Sequence, residues 1–541
     1  LNRFMSAART AASTRQRVLK DKLARNADST FGREHGFDTI RTYADFTRRV
    51  PIQTYDAIQP YVDKVIAGDL RALFGPGERV LMFAKTSGST DSPKLVPVTP
   101  SFVREYQRGW SAFGFKALLD HPDGFGRKLL QVASPADETR TELDVACGSI
   151  SGLLAASQSR IVRRFYAVPT DTGHIRDPEA RYYTIMRFAV PEDVGWMVTA
   201  SPATQVHLAR AAADHSERLV RDVRDGTLTP PGQLPRELHS ALAAHLRPNG
   251  HAAERLSAIA DRHGALLPKH FWNLAFLANW TGGTMGLHLQ DFPDYFGDTP
   301  VRDIGLLATE GRVTIGIEDH TPAGLLDSEG SFFEFIEDDA DNAGDVRLCH
   351  ELEPGREYRV VMTTSAGFYR YDIGDRVRVR GFVGQAPLLE FLHRGAHVSS
   401  ITGEKLTEWQ VTHAFEKSCA ILGLRAPLFV LAPTWADPPY YRLHIEQRVG
   451  DAWRVAKALD AELARINIEY GSKRSSKRLG PIVVNELPSS VLARSYAMRT
   501  GGYGAGNEQY KHQYLYTTPG DDRALLGDEA TRAENSPQPC Q

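Results

Sequence analysis

At 541 residues the chain exceeds the size at which one hydrophobic core stops growing, which predicts at least two domains and room for a deep cleft between packed elements. With 42% hydrophobic and 24% charged residues it falls among ordinary globular proteins and outside the disordered, fibrous and disulfide-rich classes. The 64 Lys and Arg residues nearly cancel the 66 Asp and Glu and are scattered along the chain, which argues against nucleic acid as a main partner.

Residues 1–18 are basic but hold no apolar core of signal-peptide length, and no run of eighteen apolar residues occurs anywhere, so the sequence predicts a cytoplasmic, non-membrane protein. Cys147, Cys349, Cys419 and Cys540 show neither CxxC nor zinc spacing, which suits reduced, structural thiols. Leu19 and Leu23, one helical turn apart in a charged setting, predict an amphipathic helix, and residues 79–84 read as a strand. Pro202 after Ser201 opens an Ala-rich helix running to about Val223. Pro and Gly residues between 226 and 250 interrupt it before a second helical stretch near 254–262. The whole reads as a helical excursion inside the large domain.

Strands are predicted next at 313–315, 332–336 and 358–364, and in the alternation Arg376-Val377-Arg378-Val379-Arg380. Beyond Ser400 the order becomes helix 408–421, strands 428–431 and 440–445, helix 453–470 and strand 482–484, a small α+β unit. From Gly520 the chain is polar with scattered Pro and is expected to fray.

The densest chemistry lies in Thr86-Ser87-Gly88-Ser89-Thr90-Asp91-Ser92-Pro93-Lys94. Hydroxyl donors, a glycine that lets backbone approach a ligand, and a terminal lysine suit a polyphosphate. A solvated turn is the competing reading of such a loop. The Walker pattern is absent, because Gly-Lys-Ser/Thr does not follow. Leu307-Ala308-Thr309-Glu310-Gly311 precedes a predicted strand; its hydroxyl and carboxylate could meet an α-phosphate and Mg²⁺. Gly367-Phe368-Tyr369-Arg370-Tyr371-Asp372-Ile373-Gly374-Asp375 ends on an acceptor matched to a vicinal diol, with Gly374 read as a tight turn into the strand at Arg376.

In this order the three segments resemble the signatures of the adenylate-forming superfamily, which joins acyl-CoA synthetases, luciferases and peptide-synthetase adenylation domains. Asp91 departs from the usual glycine, and Leu307 stands in the stretch where the family has an aromatic. Further segments narrow the resemblance: Phe31-Gly32, His35-Gly36-Phe37, Val50-Pro51, Tyr55, Tyr182-Tyr183, Phe333-Glu334-Phe335, Leu352-Glu353-Pro354-Gly355 and Glu404-Lys405-Leu406-Thr407-Glu408. They look like those of the auxin-responsive acyl-acid amido synthetases.

That resemblance implies an α/β fold: a large N-terminal adenylate-forming domain over residues 1–400, with β-sheets flanked by helices plus a β-barrel-like part, and a small mobile α+β C-terminal domain over 401–541. It implies ATP and Mg²⁺ as cofactors, with a small-molecule carboxylic acid and an amino acid or other amine as partners. No obligate protein partner is inferred. Thr86, Ser87, Gly88, Ser89, Thr90, Lys94, Ala308, Thr309, Tyr371, Asp375 and Arg394 are then nucleotide-binding, Glu310 is the Mg²⁺ ligand, and Lys405, Lys511 and Glu310 are catalytic, Lys405 and Glu310 also touching nucleotide. For Arg394 the alternative is a surface salt bridge. The helical side chains between Ser101 and Leu119, with Gly148–Gly152, fall where the family places its acid pocket. An acid–thiol ligase forming acyl-CoA, or a catalytically silent nucleotide-binding protein, are the alternative functions.

Overall fold

The computed structural model describes residues 1–86, 94–132, 134–158, 160–337, 346–395, 398–446, 452–488, 491–492 and 512–523. Among them the chain divides into two compact units, the first holding residues 1–391 and the second beginning at Leu392.

The first unit is built around two hydrophobic cores. One gathers the N-terminal helices, including Ala11–Arg25 with Leu19 and Leu23 buried, against a seven-stranded sheet. That sheet, in the order 314–316, 323–326, 386–394, 371–383, 357–363, 332–337, 346–348, has antiparallel neighbours and is the form taken by the expected barrel-like part. Its longest strand, Tyr371–Val383, alternates buried and less buried positions, which lets one face pack while the other carries Arg and Asp.

The second core belongs to the helical excursion. Four parallel strands, Lys128–Gln131, Val194–Val198, Phe276–Asn279 and Val301–Asp303, lie side by side. The helices Pro178–Ala189, Pro202–Asp214, Ser216–Asp225 and Gly250–His263 bury their apolar faces in the same core. Parallel strands require such crossovers, and the crossovers cover the sheet. The Ala-rich stretch expected as one helix is two, broken at His215. In an open parallel sheet ligands settle beyond the carboxyl ends of the strands, and the chain leaves Asp303 at that edge to enter the turn bearing Thr309 and Glu310.

The second unit carries a three-stranded sheet, Phe429–Thr434, Tyr440–Glu446 and Val483–Leu487, with helices Glu408–Ile421, Ala452–Ile466 and Ile468–Ser475. The helix predicted over 453–470 breaks at Asn467, whose side chain accepts the Tyr470 N–H and caps a new helix. No helix among the described residues is long and apolar enough to cross a membrane.

Candidate active site

Strand Met82–Lys85 pairs antiparallel with Leu95–Val98, the two strands on either side of the hydroxyl-rich segment in the chain. The strand begins later than the predicted Arg79. Thr86 N–H donates to the Lys94 carbonyl at 3.0 Å and closes the base of the connection. Ser87, Gly88, Ser89 and Thr90, with Asp91, lie outside the described residues. At the two roots, Thr86 is buried and its Oγ1 has no hydrogen-bond partner among the described residues, while the Lys94 ammonium stands 5.2 Å over the Tyr55 ring. The Tyr55 hydroxyl both accepts from Leu95 N–H and donates to Leu95 C=O, each at 3.0 Å. Burial pushes the Tyr55 phenol above its ordinary value, the hydrogen bond from the Leu95 N–H opposes, and the Asp63 and Glu310 carboxylates add to the rise. The hydroxyl is therefore neutral at pH 7.

Leu307–Ala308 pairs with Gly311–Arg312, leaving Thr309 and Glu310 as the two-residue turn of a small hairpin rather than a segment that merely precedes a strand. Ala308 is half-buried and Glu310 is 2% exposed. The hairpin is anchored by Arg312, whose Nε donates to Thr314 O at 3.1 Å and Nη2 to Ile304 O at 2.5 Å. Its guanidinium lies 4.7 Å from the Trp110 ring centre, and burial pulls its pKa down to about 10. A Cβ at Gly109 would come within 2.5 Å of Arg312 Cδ, so only glycine admits the arginine there. Trp110 and Gly109 belong to the helix Pro100–Asp120, which Thr99 caps through the Phe102 N–H. Tyr106 of the same helix has its phenol pushed up to about 12 by burial, with Arg312 and Glu310 among the charges that act on it. The helix expected to line an acid pocket thus packs on the Glu310 hairpin.

The third segment is joined to the first by a short strap. Gln53 N–H donates to Arg370 O and Asp372 N–H to Gln53 O, both at 2.9 Å, forming an isolated parallel bridge with Tyr371. Phe368 sits between Tyr55 and Tyr371, its ring centre 6.3 Å and 5.0 Å from theirs. Gln53 and Tyr55 therefore touch the first and third segments while Glu310 acts electrostatically on Tyr55. Gly374 is not the tight turn expected: it lies inside the Tyr371–Val383 strand at φ +74°, beside a register shift opposite Arg359 and Val361, which marks a bulge. The two aspartates differ. Asp372 pairs with Arg359 at 3.0 Å and accepts the Gly374 N–H, whereas Asp375 shares the buried phase of Tyr371 and Ile373.

In the second unit, Lys405 takes φ +48°, a strained conformation for a side chain of its size. Glu404 holds it there: its carboxylate accepts the Ile401 N–H at 2.9 Å, the Thr402 N–H and hydroxyl at 2.8 Å, and the Tyr441 hydroxyl. Burial alone would raise the Glu404 carboxyl, but these donors outweigh it and leave it below its ordinary value. Thr407 and Gln410 then form a capping box that starts the helix Glu408–Ile421. Arg394 ends the strand Ala386–Arg394 half-buried. Lys511 lies outside the described residues, but the chain right after it is fixed: His512 Nε2 bonds Phe429 O at 3.0 Å, and Glu408 Oε1 accepts the Tyr514 and Leu515 N–H groups at 2.6 and 3.3 Å. Neither this anchor nor the Gln53 bridge was legible in the sequence, since both join residues far apart in the chain.

A large α/β unit that holds a parallel sheet and a seven-stranded antiparallel sheet, followed by a separate α+β unit, has the fold of an acyl-acid amido synthetase. The solved structure of the GH3.15 acyl acid amido synthetase matches with TM-score 0.83 at 19% identity, covering 97% of this chain and 94% of that one. Residues 1–301 match the GH3 family N-terminal domain, 324–394 its central domain and 409–519 its C-terminal domain. The chain belongs to the GH3 family, and the resemblance read from its motifs is borne out. Among its relatives, the indole-3-acetic acid-amido synthetase GH3.8 of Oryza sativa subsp. indica is 26% identical over 94% of this chain and 88% of its own. The jasmonoyl–L-amino acid synthetase JAR6 of Nicotiana attenuata is 25% identical over 77% of this chain and 75% of its own.

Proposed function

We propose that this protein is an ATP-dependent ligase that joins a small carboxylic acid to the amine of an amino acid or similar nitrogen nucleophile, through an acyl-adenylate. The reading is supported by the relatives, which carry the names of amido and amino acid synthetases. The observation that carries it for this chain is the strap Gln53–Tyr55, which links Lys94 with Tyr371 and has Glu310 within electrostatic reach.

In the first half-reaction a carboxylate oxygen of the acid attacks the α-phosphorus, and the bond to pyrophosphate breaks. Charge on the phosphates is met by Thr86, Lys94 and the loop residues Ser87, Gly88, Ser89 and Thr90. The buried Thr86 Oγ1, without a hydrogen-bond partner among the described residues, fits a ligand acceptor there. Ala308 and Thr309 border the α-phosphate, and Tyr371 and Asp375 hold the nucleoside, Asp375 accepting from the ribose hydroxyls. Magnesium commonly takes one or two carboxylates together with phosphate oxygens, and Glu310 offers one buried carboxylate at the turn; when bound, the ion would neutralise charge on the leaving pyrophosphate. Lys405, Arg394 and Lys511 are assigned by motif. In the second half-reaction the uncharged amine attacks the acyl carbon, the C–N bond forms, AMP leaves and the amine gives up a proton.

Residues 1–400 are assigned to adenylation and 401–541 to a C-terminal domain that rotates between the half-reactions about the segment 397–403. A cytoplasmic location belongs to the same reading, in keeping with Cys147, Cys349 and Cys419 as free thiols.

The deciding experiment supplies ATP and a panel of aromatic, cyclic and aliphatic acids, with either an amino-acid mixture or coenzyme A, and analyses products by mass spectrometry. An amide with AMP and pyrophosphate is expected. A thioester as sole product would transfer the protein to the acid–thiol ligases, and nucleotide binding without acid-dependent exchange of pyrophosphate into ATP would make it a silent binding protein.

A further inference from the structure

Among the described residues the strand Leu95–Val98 is at the edge of its four-stranded sheet, with only Met82–Lys85 beside it. In an antiparallel pair, alternate residues turn both their N–H and C=O groups away from the partner, and on an edge strand those groups have no ladder to join. Leu95 is such a residue. A single side chain satisfies both of its groups: the Tyr55 hydroxyl accepts from the N–H and donates to the C=O, at 3.0 Å each. Tyr55 thereby takes the place of a missing strand at the root of the hydroxyl-rich loop. The same side chain presents its ring face to the ammonium of the preceding residue, Lys94, at 5.2 Å from the ring centre.

Tyr55 itself cannot drift. It is 8% exposed, it opens the helix Tyr55–Ile66, and two residues earlier Gln53 is bonded to Arg370 and Asp372. A lysine has four rotatable side-chain bonds, and holding its ammonium where a phosphate needs it costs conformational freedom. A buried ring under the ammonium and a hydroxyl locking the next peptide unit reduce that cost before any nucleotide arrives.

We propose that Tyr55 is a positioning residue for the adenylation half-reaction, setting the Lys94 ammonium through its ring and its hydroxyl. This rests on the ligase reading and assigns within it a role to a residue that does not itself meet the nucleotide. The role is separable from simple structural support, because it disappears when Lys94 has no ammonium to place.

The test is a double-mutant cycle on acid-dependent pyrophosphate–ATP exchange by the full chain. Tyr55→Leu and Tyr55→Phe are measured alone and combined with Lys94→Ala, with thermal melts for all variants. Tyr55→Leu, which removes ring and hydroxyl, is expected to raise the KM for ATP about 3- to 30-fold, and Tyr55→Phe, which keeps the ring, by less. In the Lys94→Ala background each Tyr55 substitution is expected to add less than about 2-fold. Losses that multiply with that of Lys94→Ala would overturn the proposal, as would Tyr55→Leu with wild-type KM. Should Tyr55→Leu not fold, the Tyr55→Phe cycle decides by the same criterion. Absence of exchange in the wild type with every acid would instead sink the ligase reading.

Discussion

The Arg370 guanidinium and the Glu334 carboxylate meet in the interior, with Nη2 2.9 Å from Oε1 and Nε 3.0 Å from both oxygens. Tyr43 adds its hydroxyl to Glu334 at 2.7 Å, and Arg370 Nη1 donates to Val50 O at 2.8 Å. Arg370 sits at φ +48° and its carbonyl accepts from Gln53, so the ion pair also holds the strap that links the site. Removing one partner of a buried pair leaves an uncompensated charge, at a cost of about 3–5 kcal/mol. Glu334→Ala is expected to lose stability in that range by urea denaturation. A loss below about 1 kcal/mol would mean that the pair is no more than a surface-grade contact.

Asp375→Ala and Lys511→Ala should separate the half-reactions. On the proposed assignment of Asp375 as a charged acceptor for the ribose hydroxyls, its loss should cut exchange by about 10- to 100-fold in kcat/KM for ATP. Lys511→Ala is expected to spare one half-reaction and impair the other, as seen by comparing pyrophosphate exchange with single-turnover amide formation from preformed acyl-adenylate. Wild-type behaviour in both assays would remove Lys511 from the site.

Burial pushes the Asp327 carboxyl up to about 6, against the pull of Arg312 and Arg108. The folded state then holds this proton more tightly than the unfolded chain, where the group titrates near 3.9. Its contribution to stability is full below about pH 4 and is lost as pH rises to about 6, a difference of about 3 kcal/mol. Asp327→Asn, which keeps an acceptor for the Glu329 and Gly330 N–H groups, is expected to gain on the wild type by that amount between pH 4 and pH 7. Parallel stability curves across that range would contradict it.

Glu408 ties the helix that follows Lys405 to the chain that follows Lys511, through the Tyr514 and Leu515 N–H groups. Substituting Ala should release residues 512–516 from the edge of the strand Phe429–Thr434, where Leu431 and Tyr516 also bond across. Hydrogen exchange is the direct measurement. Amide protection over 514–516 is expected to fall by about 10-fold or more, since hydrogen bonds to a charged acceptor contribute about 1.5–3 kcal/mol. Unchanged protection would show that the neighbouring bonds alone hold the segment.

Much of this molecule was readable before any fold was known. The helix predicted over 408–421 is found over those residues, its start marked locally by the Thr407 and Gln410 capping box, and the strand from Phe332 is recognisable by its dense β-formers. Other elements misled. Gly374 looked like a turn because a glycine at positive φ serves a turn and a bulge equally, and only the pairing partner distinguishes them. The break at Asn467 was masked by apolar spacing that continues across it.

What the sequence determined alone was everything carried by neighbours along the chain: the caps, the alternation of the long strand, the polar turns and the kind of chemistry their side chains perform. Tertiary structure decided which distant residues each of those segments packs against. Tyr55 over Lys94, Gln53 against Tyr371 and Glu404 beneath Lys405 are contacts set by packing, and local order carries no record of which distant backbone a side chain will meet.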